Sequence, residues 1–157
     1  MKRKIDGLLE METFAKQVGA LAEAGDVIIL SGDLGAGKTT MTKGIALGLE
    51  IDQMIKSPTY TIVREYQNGR LPLYHMDVYR VGGEGDDLAL DEYFEGEGLS
   101  VVEWGELLED YLPEEYLLIR LDKDALKEEQ RLAVLTGVGM KGEAYLERIK
   151  NAEEANG

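Results

Sequence analysis

The chain has 157 residues, 44% of them hydrophobic, with 31 acidic side chains against 17 basic ones, a formal net charge of −14 and no cysteine. This size suits one domain with a real hydrophobic core, which excludes a disordered chain, and the missing cysteines exclude disulfides and thiolate zinc sites. The acid excess argues against a protein that binds nucleic acid by itself, because Lys and Arg supply most of the affinity for phosphates.

No targeting or membrane segment is visible in the sequence. The segment Met1 to Leu9 lacks the apolar part of a signal peptide, and no stretch approaches the roughly 18 consecutive apolar residues of a membrane helix. We therefore expect a soluble cytoplasmic protein with no membrane partner.

The hydrophobic pattern predicts an alternation of helices and strands. Thr13 is the predicted N-cap of a first helix, which is expected to end at Gly25. The apolar run Val27 to Leu30 is typical of a strand buried on both faces, and a second helix is predicted from about Lys38 to Leu49. The remaining predicted elements are strands at Thr59 to Tyr66, Leu73 to Met76, Leu99 to Val102, Tyr116 to Leu121 and Arg131 to Thr136, and a helix at Glu143 to Lys150.

These elements predict a single α/β domain over residues 1–150, with residues 151–157 as a disordered tail. The central sheet is predicted to be mixed, with a parallel core, antiparallel additions and flanking helices. Gly44 and Gly48 lie four apart in the second helix, where each costs about 1 kcal/mol against Ala, so they predict a close approach to a neighbouring element.

A glycine-rich segment joins the first predicted strand to the second predicted helix. Gly32 to Thr39 reads GDLGAGKT, the pattern Gly, four residues, Gly, Lys and Ser or Thr, and this strand–loop–helix context predicts a P-loop NTPase fold that binds ATP with Mg²⁺. Lys38 is predicted to bridge the β- and γ-phosphates, Thr39 to place its hydroxyl on Mg²⁺, and Thr40 to reach the α-phosphate. The backbone of the loop is predicted to turn N–H groups toward phosphate oxygens at Gly32, Gly35, Ala36 and Gly37.

Magnesium also needs a carboxylate, and two acids follow predicted strands. Asp77 comes after LPLYHM and Glu103 after LSVV, so either is a candidate ligand. The alternative for each is a solvated acid at a strand exit, since acids are abundant in this chain.

Several segments together resemble the TsaE (YjeE) family of small bacterial P-loop ATPases. They are GDLGAGKTT at Gly32 to Thr40, SPTYTIV at Ser57 to Val63, YHMDVYR at Tyr74 to Arg80, LDEYF at Leu90 to Phe94 and VVEW at Val101 to Trp104. The similarity spans about Thr13 to Leu121, in order and at compatible spacing. The P-loop alone is common to many families, whereas the whole series is specific.

The resemblance implies an accessory ATPase in the formation of threonylcarbamoyladenosine at position 37 of tRNAs that read ANN codons. It implies binding to the TsaB–TsaD pair, in which TsaD transfers the threonylcarbamoyl group while the ATP cycle supports repeated turnover. The protein would then contact tRNA only indirectly, through the complex. By motif position, Asp77 would be the essential acid of the HxD motif and Glu103 a Mg²⁺ ligand beside Trp104. Thr61 would lie in a switch-like strand entry, and Thr13 near the adenine, although helix capping explains Thr13 adequately.

Several of these residues also have simpler explanations. Thr59 and Thr61 would share one side of a strand and could aim a hydroxyl at the γ-phosphate, yet threonine is also an ordinary strand former. Trp104 could belong to the core or to the nucleotide end of its strand. His75, the only histidine, is predicted to be a hydrogen-bonded structural group rather than a proton shuttle.

Other functions compete with the accessory ATPase. A P-loop small-molecule kinase usually needs arginines in a mobile lid, and the segment Val81 to Leu90 contains none. A GTPase would need an Asn-Lys-x-Asp run, which does not occur. A non-catalytic module, whose bound ATP orders the segment Ser57 to Tyr66 for a partner, remains open.

Overall fold

The computed structural model describes residues 1–32, 35–52, 63–77, 90–103 and 112–156, with the backbone alone at Asp77, Leu90, Asp91 and Asn156. Its elements are β1 (Lys2–Asp6), α1 (Gly7–Ala20), β2 (Val27–Gly32), α2 (Lys38–Gly48), β3 (Val63–Tyr66), β4 (Leu73–Asp77), α3 (Leu90–Phe94), β5 (Leu99–Glu103), β6 (Tyr116–Lys123), β7 (Gln130–Val138) and α4 (Gly139–Asn156). Within these residues, no helix has both the length and the apolar character needed to cross a membrane.

The strands form one seven-stranded sheet in the order β1-β7-β6-β2-β5-β4-β3. The central strand β2 is parallel to β5 and β6, and β4 is parallel to β5. The outer pairs β1–β7, β6–β7 and β3–β4 are antiparallel. The predicted mixed sheet is confirmed, and its parallel part brings the carboxyl ends of β2, β4 and β5 to one edge.

The sheet separates a large core from a small one. Ile28 and Leu30 of β2 face the large core, which α1, α2 and α4 cover with Phe14, Met41 and Tyr145 among others. The intervening residues of β2 face the small core, which includes Phe94 of α3. Burial on both faces explains the wholly apolar run of β2, since each fully buried aliphatic side chain contributes about 1.5–3 kcal/mol.

Helices α1 and α2 pack with their backbones almost in contact. A Cβ atom at Gly44 would stand 2.4 Å from the Cβ of Ala15, and one at Gly48 would stand 2.1 Å from the carbonyl oxygen of Lys16. Neither side chain fits, so the close approach predicted from these glycines is confirmed. This contact fixes α2, and with it the loop that precedes α2, against α1.

The first helix differs from its prediction at both ends. It begins at Gly7 and ends at Ala20, so Thr13 is not its N-cap and Gly25 lies in a later turn. The hydroxyl of Thr13 instead donates to the carbonyl oxygen of Leu9 at 2.9 Å. The true first turn was missed because Leu8 and Leu9 are 74% and 78% exposed, which breaks the apolar periodicity there.

The two ends of the chain also correct the predictions. Strand β1 was not predicted, because its sequence KRKID has a single buried residue, Ile5. At the other end, the predicted disordered tail is helical through Asn156, where α4 ends. Glu153 in that stretch forms an ion pair with Arg3 of β1, which holds the last turns of α4 against the sheet.

The other predicted elements agree with the structure within a few residues. The strands predicted from Val27, Leu73, Leu99, Tyr116 and Arg131 correspond to β2, β4, β5, β6 and β7, and the predicted second helix corresponds to α2. Residues 63–66 of the strand predicted from Thr59 form β3, and residues 59–62 lie outside the described part of the chain.

Candidate functional site

The glycine-rich loop leaves β2 at the edge where the parallel strands end. Gly32, Gly35 and Gly37 have φ angles of +143°, +81° and +110°, which favour glycine. A Cβ at Gly32 would also stand 2.5 Å from the carbonyl oxygen of Leu121. Asp33 and Leu34 lie outside the described residues. The backbone therefore requires glycine at these positions, independently of any ligand.

The loop ends at the amino terminus of α2. The first backbone hydrogen bond there runs from Met41 N to the carbonyl oxygen of Gly37, at 2.8 Å. The N–H groups of Thr39 and Thr40 precede this bond in the helix, and the N-cap residue Gly37 makes no side-chain cap hydrogen bond. Together with the helix dipole, these donors favour an anion at this point.

Lys38 lies across the loop rather than extending into solvent. Its side chain is buried, with 8% exposure, and Nζ donates to the carbonyl oxygen of Gly32 at 2.6 Å. Its own carbonyl oxygen accepts from the hydroxyl of Thr42 at 2.9 Å. A buried ammonium is stable only with polar or anionic partners, so this arrangement suits an anion held by the loop.

Further positive charge stands beside the loop although the chain as a whole is acidic. The Nζ atom of Lys123, at the end of β6, is 3.0 Å from the place a Cβ of Gly35 would occupy. Arg131 of β7 donates from Nε to the carbonyl oxygen of Ala36 at 3.1 Å. Cationic side chains therefore lie beside the loop although the net charge of the chain is −14, and Glu128 and Glu129 line the same region.

The two predicted acids end adjacent strands. Asp77 is the last residue of β4 and Glu103 the last residue of β5, and the two are partners in the parallel ladder. Glu103 is also the partner of Leu30 in β2. Because β2 continues into the loop two residues later, the sheet brings both strand ends and the loop to one edge.

Glu103 is buried and only partly satisfied. It is 5% exposed, and its Oε1 atom has no hydrogen-bond partner among the described residues. Its Oε2 atom lies 3.6 Å from Nε2 of His75, which is beyond ordinary hydrogen-bond length. A buried carboxylate oxygen without a donor is costly, and a hard cation such as Mg²⁺ would satisfy it.

The residues present fit a magnesium site of the kind that shares its ligands with phosphates and water. The described part of the chain holds no group of three or more His, Asp or Glu side chains that could enclose a metal. Mg²⁺ is commonly held by one or two carboxylates plus substrate phosphates, so Glu103 near the loop is a sufficient protein contribution with a hydroxyl such as that of Thr39.

A cavity of about 470 Å³ opens on the other side of the loop. Its lining combines the amino-terminal turn of α1, the loop with the start of α2, and the β6–β7 turn: Gly7, Leu8, Met11, Gly35, Ala36, Gly37, Thr40, Glu128, Glu129 and Arg131. This volume is within the usual range for a small-molecule site, and the mixture of apolar side chains with a few polar groups is typical of one.

Comparison with known proteins identifies the family. The family described as "Threonylcarbamoyl adenosine biosynthesis protein TsaE" matches residues 6–132. The chain belongs to the TsaE family. The resemblance drawn from the sequence motifs is thereby confirmed.

Similar proteins cover most of the chain. The tRNA threonylcarbamoyladenosine biosynthesis protein TsaE of Bacillus subtilis is 49% identical over 140 residues, which are 89% of this chain and 87% of the relative. The protein of the same name from Treponema pallidum is 49% identical over 106 residues, 66% of this chain and 78% of the relative. The crystal structure of YdiB from Bacillus subtilis superposes with a TM-score of 0.86 at 42% identity, covering 98% of this chain and 95% of that one.

The structure does not bring every predicted residue of this TsaE family member to the loop. Thr13 is an exposed residue in the middle of α1 and does not line the cavity, whereas Leu8 and Met11 do. Thr61 and Trp104 lie outside the described residues, and only the backbone of Asp77 is described.

Sequence reasoning missed the part of the site that the β6–β7 turn supplies. Besides Ala36, Arg131 binds two carbonyl oxygens of its own turn, those of Glu128 at 2.5 Å and Gln130 at 3.0 Å. The turn is also tied to α1, because Gly7 N donates to the carbonyl oxygen of Glu129 at 3.1 Å. No motif marks Arg131, since its partner in the loop is 95 residues away in the sequence.

His75 also differs from its prediction. It was expected to be a hydrogen-bonded structural histidine, but neither ring nitrogen has a hydrogen-bond partner among the described residues. The ring is fully buried, and its Nε2 atom lies 3.6 Å from Oε2 of Glu103.

Proposed function

We propose that this protein is an ATP-binding and ATP-hydrolysing accessory protein of tRNA threonylcarbamoyladenosine formation, acting in the cytoplasm with a TsaB–TsaD pair. The modified nucleoside would be at position 37 of ANN-decoding tRNAs, and the fold would be that of a P-loop NTPase. The observation that carries the proposal is the meeting of the glycine loop, the buried Lys38 and the buried Glu103 at one sheet edge, in a chain of the TsaE family.

Phosphate binding is the task of the loop and of α2. The N–H groups at the start of α2 would face phosphate oxygens, and Lys38 would exchange its bond to Gly32 for the β- and γ-phosphates. Arg131 holds the carbonyl of Ala36, which keeps the neighbouring N–H groups of the loop directed at the ligand. Ala36 is thus held in place before the nucleotide arrives.

The metal would be held by Thr39 and Glu103, with Asp77 at the neighbouring strand end as the other candidate ligand. Bound Mg²⁺ supplies neutralisation of the charge on the β- and γ-phosphates. We assign Asp77 to orienting the attacking water and Thr61 to the γ-phosphate, roles that follow from family membership and from the position of Asp77 beside Glu103.

The cavity beside the loop would accept the nucleoside part of the nucleotide. Leu8 and Met11 offer an apolar contact for a base, while Glu128 and Glu129 offer acceptors for its amino or ribose hydroxyl groups. Thr40 lines this cavity together with residues of the loop, which supports a role for it near the α-phosphate. The cavity therefore supports a whole nucleotide rather than an isolated phosphate.

The chain alone is expected to hydrolyse ATP slowly and to modify neither a small molecule nor tRNA. Its residues 81–90 supply no arginine for a kinase lid, and its net charge of −14 disfavours tRNA binding without a partner. A non-catalytic nucleotide-sensing module is the second candidate, because the buried Lys38 and Glu103 would serve binding as well as hydrolysis.

The test supplies purified protein, TsaB–TsaD, threonylcarbamoyl-adenylate and unmodified tRNA, and counts modified tRNAs per TsaD. Wild type should permit many turnovers and Lys38→Ala should not, while Lys43→Ala, on the exposed side of α2, should behave as wild type. Equal turnover with Lys38→Ala would refute the proposal. ATP hydrolysis measured in the same reactions separates an ATPase from a sensing module, which would support turnover without consuming ATP.

A further inference from the structure

Several buried polar atoms without a hydrogen-bond partner lie near the sheet edge at which Asp77 and Glu103 end their strands. Within the described residues, the buried side-chain nitrogen and oxygen atoms without a hydrogen-bond partner are Arg64 Nε, His75 Nδ1, His75 Nε2 and Glu103 Oε1. Native proteins satisfy most such atoms, so their concentration in one place calls for a reason.

These atoms belong to neighbouring positions on adjacent strands. Arg64 of β3 is the cross-strand partner of His75 in β4, and His75 Nε2 lies 3.6 Å from Glu103 Oε2 in β5. Side chains of direct cross-strand partners have Cβ atoms about 4.5–5.5 Å apart. The three side chains therefore form a row that leads from β3 to the carboxylate beside the loop.

The donors and acceptors of this row complement one another. With its hydrogen on Nε2, the imidazole of His75 can donate to Glu103 Oε2 and can accept at Nδ1. Arg64, whose Nε is a donor, is the cross-strand partner of His75. The atom then left over is Glu103 Oε1, an acceptor of the kind a hard cation requires.

We propose that His75 is a positioning residue for Glu103: its Nε2–H binds Oε2 of the carboxylate and thereby holds Oε1 toward the metal. The inference rests on the proposed function, because it assumes that Glu103 is a metal ligand. The separation of 3.6 Å needs a shift of only a few tenths of an ångström to reach hydrogen-bond length. Carboxylate ligands held in this way lose about 10–100-fold in metal affinity when the supporting residue is removed.

Three substitutions of His75 separate positioning from packing. His75→Leu fills the space without a donor, His75→Gln places an amide N–H near the position of Nε2, and His75→Asn carries the same amide one carbon shorter. Met76→Leu is the matched control, since Met76 is equally buried but faces the small core on the other side of the sheet.

The readout is the Mg²⁺ concentration that gives half-maximal binding of a fluorescent ATP analogue, with binding in EDTA and the melting temperature measured alongside. We expect His75→Leu and His75→Asn to raise the required Mg²⁺ by about 10–100-fold, with His75→Gln and Met76→Leu close to wild type. Analogue binding in EDTA should be unchanged in all four. If His75→Leu fails to fold, the Mg²⁺ requirements of His75→Asn and His75→Gln are compared with each other instead.

An unchanged Mg²⁺ requirement in His75→Asn and in any folded His75→Leu protein would overturn the inference, as would a His75→Gln protein as defective as His75→Asn. Either result, with normal metal-dependent binding in wild type, leaves the proposed function standing. Wild-type protein that bound no ATP analogue, or bound it equally with and without Mg²⁺, would instead remove the proposed function and this inference together.

Discussion

The hydroxyl of Tyr145 in α4 donates to the carbonyl oxygen of Val18 in α1 at 2.6 Å, in the interior of the protein. One turn further along α4, Arg148 binds the carbonyl oxygen of Leu21 at 2.9 Å and the carboxylate of Asp26 at 2.5 Å. Asp26 precedes β2, so these bonds fasten α4 to α1 at the end of the sheet opposite the glycine loop. The helix layer is therefore anchored away from the site.

Replacing Tyr145 by Phe should lower stability without affecting nucleotide binding. The substitution removes the hydrogen bond to Val18 and leaves a buried carbonyl unsatisfied, which costs about 1–3 kcal/mol in the free energy of unfolding. Urea denaturation gives this value. Tyr116→Phe is the control, because the Tyr116 hydroxyl has no hydrogen bond to a described residue, and a loss of equal size there would contradict the assignment.

Gly44→Ala should separate α1 from α2. The new methyl group would stand 2.4 Å from the Cβ of Ala15, and overpacking of this kind costs about 1–3 kcal/mol, more than the roughly 1 kcal/mol that alanine contributes to helix stability. The prediction is a lower melting temperature. Adding Ala15→Gly should recover part of the lost melting temperature. If the double variant shows no recovery, the contact with Ala15 is not the cause of the destabilisation.

Arg131→Lys should weaken nucleotide binding although it keeps the charge. Lysine cannot reproduce the fork of N–H groups that joins the carbonyl oxygen of Ala36 to the β6–β7 turn, so the loop loses its support. We expect a loss of about tenfold in ATP affinity, equivalent to 1.4 kcal/mol. Titration calorimetry measures it, with Arg120→Lys, an exposed residue on the same hairpin, as the control. Equal affinities would mean that the turn does not support the loop.

Alanine at Glu103 and at Asp77 should produce different defects. Glu103→Ala is expected to remove the dependence of nucleotide binding on Mg²⁺, since the buried carboxylate is lost from the loop edge. Asp77→Ala is expected to bind nucleotide with Mg²⁺ and to hydrolyse it at least 100-fold more slowly, as for the loss of a general base. Binding with and without EDTA, followed by single-turnover hydrolysis, distinguishes them. If the metal defect follows Asp77, the two roles are exchanged.

The β6–β7 turn should loosen in acid. Backbone N–H groups of Leu126 and then Lys127 donate to Asp124, and these bonds hold the pKa of its carboxyl below the usual 3.8. A carboxyl with a lowered folded pKa stabilises the folded state above pH 3.8, and this contribution is lost as the pH falls through the folded pKa. Amide exchange at Leu126, measured between pH 5 and pH 2.5 and corrected for intrinsic rates, should show falling protection. Asp124→Asn should show a flatter profile.

The sequence predicts the sheet edge at which the glycine-rich loop begins, because the residues that mark this edge are close together in the chain. The apolar run of β2 and the glycines follow one another in the chain, and the structure shows burial of the strand and positive φ angles at Gly32, Gly35 and Gly37. The strand ends at Asp77 and Glu103 were predictable for the same reason, since an acid after an apolar run marks the carboxyl end of a buried strand.

The cavity, the environment of His75 and strand β1 depend on contacts between segments that are distant in the sequence. Local sequence patterns do not contain this information. The cavity joins α1, the loop and the β6–β7 turn, and Arg131 reaches across 95 residues to Ala36. No local pattern shows that both ring nitrogens of His75 lack a hydrogen-bond partner among the described residues, because this depends on which atoms of other strands come near the ring. Strand β1 was missed because its partner β7, rather than its own apolar pattern, specifies it.

The pairing of β1 with β7 sets the order in which the protein can fold. Lys2 is the partner of Val134 and Asp6 the partner of Gln130, so β1 can pair only after β7, which lies much later in the sequence, has been synthesised. The central strand β2 likewise needs β5 and β6, which are synthesised much later. Pairing between strands that are distant in the sequence slows folding. Until it is complete, the backbone N–H and C=O groups at the strand edges stay unpaired. Four of the five residues of KRKID are charged, which gives the unpaired strand little tendency to aggregate.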